Sequence, residues 1–315
     1  VGDVGRPDLL ETAAGQAGTM ESSAKRLFAS LQSLSKYSDH LMVWPAHGSG
    51  SACGKSMSGV PMSSLGYERI SNWALREKDE KAFLASVLAD QPDPPMYFGE
   101  MKRVNKSGTP AWSAAPLPEA GDAEVNDIAS RRRLTIDVRP DASRGTLPGA
   151  ITVPMGRSFS SWAGSVVASG EPFHVIAPNV SQAENAARAL ALIGRTGAQG
   201  WISPHALDAW RRAGGALDAI ESVQDVPQGG MLLDVRTSAE WRAGHLDRAT
   251  HVPLARLPER LEGLDPSAPV LVYCQAGVRS LVAASALRRL GFAKVTSLEG
   301  GISGYRARNQ QSAVV

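Results

Sequence analysis

The chain has 315 residues, with 33 lysines and arginines against 31 aspartates and glutamates, and only two cysteines. Its length predicts two or three domains, and a hydrophobic fraction of 43% with a charged fraction of 20% is typical of a globular protein. The balanced charge argues against a nucleic-acid partner, and no apolar run approaches the roughly 20 residues of a membrane span. Two cysteines cannot form a disulfide framework, so we expect a reducing, cytoplasmic environment.

Residues 1–115 form the first compositional block. Residues 1–10 begin with Val and lack the layout of a signal peptide, so we expect the chain to be a fragment of a longer polypeptide. The spacing of apolar residues predicts helices over Glu21–Leu34 and Asp79–Ala89. Between them, the short apolar run His40–Trp44 predicts a buried strand, which a glycine-rich loop follows.

The rest of the chain contains an internal repeat. Ile136–Arg139 recurs 97 residues later as Leu233–Arg236, and Pro172–Gly194 aligns on Pro269–Gly291 at the same offset without a gap. A repeat of this length has the size of a small domain and is too long for a solenoid unit. We therefore predict two copies of one domain, a first copy at residues 120–215 and a second copy at residues 218–312.

The second copy has the pattern of an α/β domain. Met231–Val235, Val270–Tyr273 and Lys294–Leu298 are short apolar runs that suit buried parallel strands. The segment Leu281–Leu290 predicts a helix that ends at Gly291. Strand, loop, helix and strand in this order predict an open parallel sheet flanked by helices.

The loop between strand and helix in the second copy contains a candidate nucleophile. Cys274 follows the strand directly, and the backbone amides of such a loop favour an anion, and so the thiolate form of a cysteine. Gly277 lets the backbone curl around a ligand, and Arg279 adds a forked cation that can anchor the loop. The alternative is a small buried cysteine at the end of a strand. The residues expected to surround a bound anion are Gln275, Ala276, Gly277, Val278, Arg279 and Ser280.

The motifs of the second copy resemble those of the rhodanese (sulfurtransferase) family. They are Asp234-Val235-Arg236, Glu240-Trp241, Gly244-His245-Leu246, Ala249, Val252-Pro253, Cys274–Ser280 and Leu298–Ile302. The resemblance implies that Cys274 takes sulfane sulfur from thiosulfate or a low-molecular-weight persulfide and passes it to sulfite, cyanide or a thiol. It implies no cofactor for this domain.

Two other functions stay open for the same loop. One is a cysteine phosphatase or arsenate reductase, which the loop length disfavours, because four residues separate Cys274 from Arg279 where the phosphatase pattern has five. The other is a sulfur-carrier or interaction module that accepts sulfur without turnover. His245 and Asp234 suit a base or an orienting group, but the motif pattern favours structural roles that hold neighbouring loops.

The first copy lacks the nucleophile. Ala177 stands where the second copy has Cys274, and the following residues, 178–182, contain no arginine. We therefore predict an inactive rhodanese-like domain whose role is to pack between its neighbours.

The amino-terminal block resembles another family. Gly2–Leu9 and Trp44–Gly54 are similar to late motifs of a metallo-β-lactamase-fold domain of the persulfide dioxygenase branch. The resemblance implies a mononuclear non-haem iron whose main ligands are expected upstream of residue 1. It makes His47 a candidate metal ligand. It also implies that Arg6 binds the carboxylate of the thiol substrate. The alternative for Arg6 is a salt bridge that tethers a loop. Cys53 is a candidate second sulfur site or a spectator thiol.

The sequence thus predicts an α/β protein in which a partial metallo-β-lactamase-like αββα domain, residues 1–115, precedes two rhodanese-like domains. Each rhodanese-like domain is expected to be a parallel sheet with flanking helices. The predicted function is sulfur transfer through a Cys274 persulfide, as part of a persulfide dioxygenase–rhodanese fusion in sulfide or persulfide detoxification. The expected partners are small sulfur compounds (thiosulfate, a low-molecular-weight persulfide and sulfite), and assembly into a homo-oligomer stays open.

Overall fold

A computed structural model describes residues 5–13, 15–45, 61–89, 91, 93–109, 115–261 and 264–312. The chain divides into two compact units. The first comprises the residues up to Pro94 with Phe98–Arg103, and the second comprises Pro95–Tyr97 and all residues from Val104 onward. No helix among the described residues combines the length and the apolar character that crossing a bilayer requires.

The first unit is mainly helical. Its helices include α1 (Leu9–Thr12), α2 (Thr19–Ser33), α3 (Leu65–Ser71), α4 (Trp73–Arg76) and α5 (Glu80–Leu88), and α6 (Tyr97–Ser107) contributes residues to both units. A small core forms where α2, α4 and α5 meet, with Phe83 fully buried between the rings of Phe28 and Trp73. The helices predicted over Glu21–Leu34 and Asp79–Ala89 are confirmed.

The buried strand predicted over His40–Trp44 is wrong in its length and its burial. The structure has β1 (Met42–Val43), which pairs antiparallel with β2 (Ser63–Ser64) in a two-stranded ladder. Met42 is 50% exposed and Trp44 is 69% exposed. A short apolar run has the same composition whether or not another element packs against it. The sequence therefore could not show that this strand is exposed.

The first copy of the repeat has a four-stranded parallel sheet in the order β4-β3-β5-β6. Its elements are α7 (Asp122–Ser130), β3 (Thr135–Asp137), β4 (Ala150–Thr152), α8 (Phe159–Val166), β5 (Phe173–Ile176), α9 (Val180–Ala191), β6 (Ala198–Ile202) and α10 (Pro204–Arg212). The residues of β3, β4 and β5 are all buried, because helices cover both faces of the sheet.

The second copy repeats this topology with a fifth strand, in the order β7-β11-β10-β8-β9, and all pairings are parallel. Its elements are β7 (Glu221–Val223), β8 (Met231–Asp234), α11 (Ser238–Arg242), β9 (Thr250–His251), β10 (Val270–Tyr273), α12 (Val278–Arg289), β11 (Val295–Leu298) and α13 (Gly301–Ser312). In the first copy an isolated parallel bridge from Glu119 to Trp201 lies where the second copy has β7. The strands and the helix predicted for the second copy are confirmed.

Candidate active site around Cys274

Cys274 lies at the carboxyl end of β10, at the centre of the second sheet. The chain turns through Gly277, whose φ of +97° lies in the left-handed region, and then enters α12. Glycine adopts this conformation at little cost, and no side chain caps the first turn of α12. The turn therefore directs the amino terminus of α12, with its partial positive charge, toward the cysteine.

The Cys274 sulfur lies at the base of the loop. The thiol is 1% exposed, whereas Gln275 and Ala276 on the rim are exposed to solvent. The backbone N–H of Gly277 donates to Sγ at 3.1 Å, and the Ser280 hydroxyl oxygen lies 3.7 Å from Sγ. A sulfur atom with an N–H donor directed at it, under an open rim, can carry negative charge and be reached by a small substrate.

The glycine pair at the start of α13 supports the loop from below. The amide of Ile302 donates to the carbonyl of Cys274 at 2.8 Å, and the amide of Ser303 donates to the carbonyl of Gln275 at 3.2 Å. Gly301 has a φ of +60°, and a Cβ at this position would overlap the Cys274 carbonyl oxygen. Only glycine allows this close approach, which accounts for the glycine pair in the Leu298–Ile302 motif.

Arg279 forks onto Glu240 of α11 and so ties the loop to its neighbour. Its two terminal nitrogens donate to the two carboxylate oxygens at 2.7 and 2.6 Å. Glu240 in turn forms a capping box with Thr237, whose backbone N–H donates to the carboxylate at 2.9 Å. Because the bidentate contact occupies the face of the guanidinium that a phosphate would use, Arg279 acts as an anchor of the loop.

The pKa values of this pair agree with a fixed ionic contact. Partial burial alone would raise the pKa of Glu240, but the hydrogen bonds from Arg279 and Thr237 outweigh it and lower the pKa from 4.5 to about 2. Burial would likewise lower the pKa of Arg279, but Glu240, with a smaller effect of Cys274, raises it. Both partners therefore stay ionised at neutral pH.

Another ion pair, which is buried, holds the neighbouring turn. Asp234 is fully buried and accepts a bidentate contact from Arg236, which also donates to the carbonyl of Gly244 at 2.9 Å. His245 stacks on Trp241 at 3.5 Å between ring centroids, and its Nδ1 lies 3.1 Å from the Trp241 carbonyl. Asp234 and His245 thus occupy structural positions around the Gly244 turn.

The first copy keeps the same turn without the reactive loop. Arg139 contacts Asp137 in the bidentate manner and donates to the carbonyl of Gly145 at 2.8 Å. At the end of β5, however, Ala177 is buried, and the side chain of Asn179 caps α9 by accepting from the amide of Gln182. In the first copy a side chain therefore occupies the helix terminus that faces sulfur in the second copy.

Of the site residues predicted in the amino-terminal block, the structure describes Arg6 alone. Arg6 forms an ion pair with Asp8 at 2.6 Å, and both side chains are 4% exposed. This is the contact expected of the salt-bridge alternative for Arg6. His47 and Cys53 lie outside the described residues.

The residues of the described ranges do not fit an iron centre. They contain no group of three or more histidine, cysteine, aspartate or glutamate side chains that could hold a metal ion. The iron that the family resemblance implies thus has no ligand set in this part of the chain, and we derive no chemistry through it.

Two contacts of the loop were not assigned from sequence. Glu240 was recognised only as part of a motif, and its role as the partner of Arg279 needed the tertiary structure. Ser297 on β11 was not singled out, although its hydroxyl donates to Ser280 at 2.9 Å. The available signal was a serine at a buried position of β11, directly before the buried Leu298.

Comparisons with known proteins find a family model that matches the second copy and relatives that match part of the chain. A family model described as a rhodanese-like domain matches residues 216–308. Thiosulfate sulfurtransferase GlpE of Coxiella burnetii (strain RSA 331 / Henzerling II) is 37% identical over 82 residues, which cover 26% of this chain and 77% of that protein. The uncharacterized protein YqhL of Bacillus subtilis (strain 168) is 40% identical over 70 residues, 22% of this chain and 56% of that protein.

A solved structure extends the likeness beyond the second copy. The crystal structure of a metallo-beta-lactamase from Staphylococcus aureus subsp. aureus COL matches with a TM-score of 0.56 and 34% identity, and covers 64% of this chain and 56% of that chain. This chain spans little more than half the length of both YqhL and the Staphylococcus aureus protein. The predicted fold class, an α/β chain with a partial metallo-β-lactamase-like block before two rhodanese-like domains, is confirmed.

Proposed function

Since the chain belongs to the rhodanese family through its second copy, we propose that it is a sulfurtransferase that carries sulfane sulfur as a Cys274 persulfide. The observation that supports this most directly is the Gly277 N–H at 3.1 Å from Sγ, at the base of an open loop. The proposed donors are thiosulfate or a low-molecular-weight persulfide. Sulfite, cyanide or a thiol is the proposed acceptor.

The proposed reaction has two displacement steps. The Cys274 thiolate attacks the outer sulfur of thiosulfate, so that an S–S bond to Sγ forms while the bond to the sulfite group breaks and sulfite leaves with its electron pair. The acceptor then attacks the outer sulfur of the persulfide, and the Cys274 thiolate leaves. Gly277 stabilises the charge on sulfur in both steps through its backbone N–H, as an oxyanion hole stabilises oxygen.

The alternative of a phosphatase or arsenate reductase is disfavoured by a second observation besides the loop length. An enzyme of this type needs its arginine free to fork onto the oxyanion, whereas both terminal nitrogens of Arg279 contact Glu240 here. The remaining alternative is a sulfur carrier that takes up sulfur without turnover.

Incubation with thiosulfate and cyanide distinguishes these functions. A sulfurtransferase releases thiocyanate, and Cys274→Ser abolishes the release. A persulfide mass adduct on Cys274 without thiocyanate release would instead identify a carrier. Phosphate release from an aryl phosphate would identify a phosphatase.

We also propose that this sulfurtransferase belongs to a persulfide dioxygenase fusion that acts on sulfide or persulfide in the cytoplasm. Its support is the similarity to the Staphylococcus aureus metallo-beta-lactamase and the order of the domains. The role proposed for Cys274 in such a fusion is to combine sulfite with sulfane sulfur to give thiosulfate. Iron content and oxygen consumption with a low-molecular-weight persulfide test this part. Activity without bound iron would contradict it.

A further inference from the structure

Beneath the catalytic sulfur lies a chain of two buried hydroxyl groups. Ser297 on β11 donates to the Ser280 oxygen at 2.9 Å, and Ser280 lies 3.7 Å from Sγ of Cys274. Ser280 is fully buried and Ser297 is 3% exposed. A buried hydroxyl costs free energy unless it is hydrogen-bonded, and here Ser297 donates to Ser280 while Ser280 donates to the Gly277 carbonyl.

The protonation state of Cys274 decides the direction in which the Ser280 hydroxyl donates its hydrogen bond. While Cys274 is a thiol, Ser280 donates to the Gly277 carbonyl at 2.9 Å and accepts from Ser297 and from the thiol. When the thiol proton leaves to solvent, Ser280 can turn its single proton to Sγ. The Gly277 carbonyl then still accepts from the amide of Leu281 at 3.3 Å. The two serine hydroxyls and the Gly277 carbonyl therefore each keep a hydrogen-bond partner in this change.

Ser297 sets the direction in which Ser280 donates. The Ser297 hydroxyl donates to the Ser280 oxygen, so Ser280 cannot donate back to Ser297. The Ser280 proton is therefore available to the Gly277 carbonyl or to Sγ. A hydroxyl that already accepts a hydrogen bond is also a stronger donor, because successive hydrogen bonds polarise one another. Ser297 therefore strengthens a hydrogen bond to the thiolate without touching the sulfur.

The first copy lacks the sulfur and both of these hydroxyl groups. At the offset of 97 residues, Ala177 replaces Cys274 and Ala183 replaces Ser280. The strand register places Trp201 opposite Val175, as Ser297 lies opposite Val272 in the second copy. Where there is no sulfur to stabilise, apolar side chains fill the positions of both hydroxyls.

We propose that Ser297 is a positioning residue that orients the Ser280 hydroxyl and so stabilises the Cys274 thiolate. The inference rests on the proposed function only in taking Cys274 as the reactive group. The charged groups that face the loop are Arg279 with Glu240 and Arg236 with its buried partner. A substitution of Ser297 leaves these charges in place.

The test is the pH dependence of Cys274 alkylation by iodoacetamide in the full chain. Ser297→Ala should raise the midpoint of this profile by about 0.2 to 0.5 pH unit, because Ser280 can still donate to the sulfur and only the strengthening by Ser297 is lost. Ser297→Thr keeps the hydroxyl and should restore the midpoint. Ser165→Ala is a matched control, because Ser165 is also 3% exposed but lies on α8 of the first copy.

A second variant keeps the inference testable if Ser297→Ala does not fold. Ser297→Val has the shape of the Thr variant but lacks the hydroxyl and suits a strand, so it should shift the midpoint in the same direction as Ser297→Ala. An unchanged midpoint in a folded Ala or Val variant would overturn the inference. Thiocyanate release by the unaltered chain is scored separately, so a failed sulfurtransferase and a failed Ser297 role give different results.

Discussion

The two copies of the repeat have the same strand connectivity but differ at one end of the sheet. Both bury an aspartate–arginine pair that holds a glycine turn, Asp137 with Arg139 in the first copy and Asp234 with Arg236 in the second. Only the second copy leaves the helix after the central strand without a side-chain cap, facing a thiol. The elements that hold the fold and those that carry the chemistry are therefore separable.

The first copy contacts the helix that starts at the reactive loop. The amide of Thr152 donates to the hydroxyl of Ser285 on α12 at 3.0 Å. Arg289, near the end of α12, donates to the Arg132 carbonyl at 2.6 Å and to the Glu171 carboxylate at 2.7 Å. These contacts agree with a packing role for a copy that has no nucleophile.

The largest effect is expected from exchanging Cys274 and Ala177, which occupy equivalent positions in the two copies. Cys274→Ala gives the second copy the residue of the first and should reduce thiocyanate release by at least about a thousandfold, because no other group replaces the nucleophile. Ala177→Cys is the reverse exchange. It should not create activity, because Asn179 already caps α9. Thiocyanate release by the Cys274→Ala, Ala177→Cys double variant would show that the loop of the first copy can support the reaction once it has a cysteine.

Gly301→Ala tests the close approach beneath the loop. The added Cβ would overlap the Cys274 carbonyl at a φ of +60°, so we expect a loss of about 2–4 kcal/mol in the free energy of unfolding, together with a loss of activity. Gly229→Ala is the control, because a Cβ there would meet nothing within 4 Å. Denaturant unfolding and thiocyanate release measure both effects, and equal results for the two variants would show that the close approach at Gly301 does not constrain the loop.

Glu240→Gln tests the anchor of Arg279. Loss of the charged, bidentate contact should lower the free energy of unfolding by about 1–2 kcal/mol at pH 7 and should also slow sulfur transfer. Glu259→Gln is the control, because Glu259 pairs with Arg256 at an exposed site and should have little effect. Unchanged stability and rate in Glu240→Gln would mean that Arg279 does not need this anchor.

The same pair predicts a pH dependence of stability. Because the pKa of Glu240 falls from 4.5 to about 2 on folding, its stabilisation is complete above about pH 4.5 and is lost as the pH falls toward 2. The difference in melting temperature between the unaltered chain and Glu240→Gln should therefore be constant above pH 5 and shrink below it. A difference that grows on acidification would have the wrong sign for this pair.

The smallest effect is expected at the contact between the copies. Arg289→Ala removes the hydrogen bonds to Arg132 and Glu171 and should lower the free energy of unfolding by about 1 kcal/mol, while sulfur transfer changes less than about twofold. Arg211→Ala, at an exposed pair with Asp208, is the control. A loss of activity larger than the loss of stability would give the first copy a direct role in catalysis.

The sequence by itself determined the repeat, the strand–loop–helix pattern and the candidate nucleophile. Buried parallel strands read as apolar runs, and the offset of 97 residues carried the pattern of one copy onto the other. Cys274 could be selected because a cysteine before a glycine-containing loop and a helix has few structural explanations. Ala177 showed from sequence alone that the first copy has no thiol.

Only the tertiary structure decided which groups meet at the loop. Glu240 lies 39 residues from Arg279, and Ser297 lies 17 residues from Ser280, so no local pattern could pair them. Exposure also had to come from the fold, as the uncovered strand at Met42 and Val43 shows. Local patterns report what the chain can form, whereas long-range packing decides which side chains share a site and which are covered.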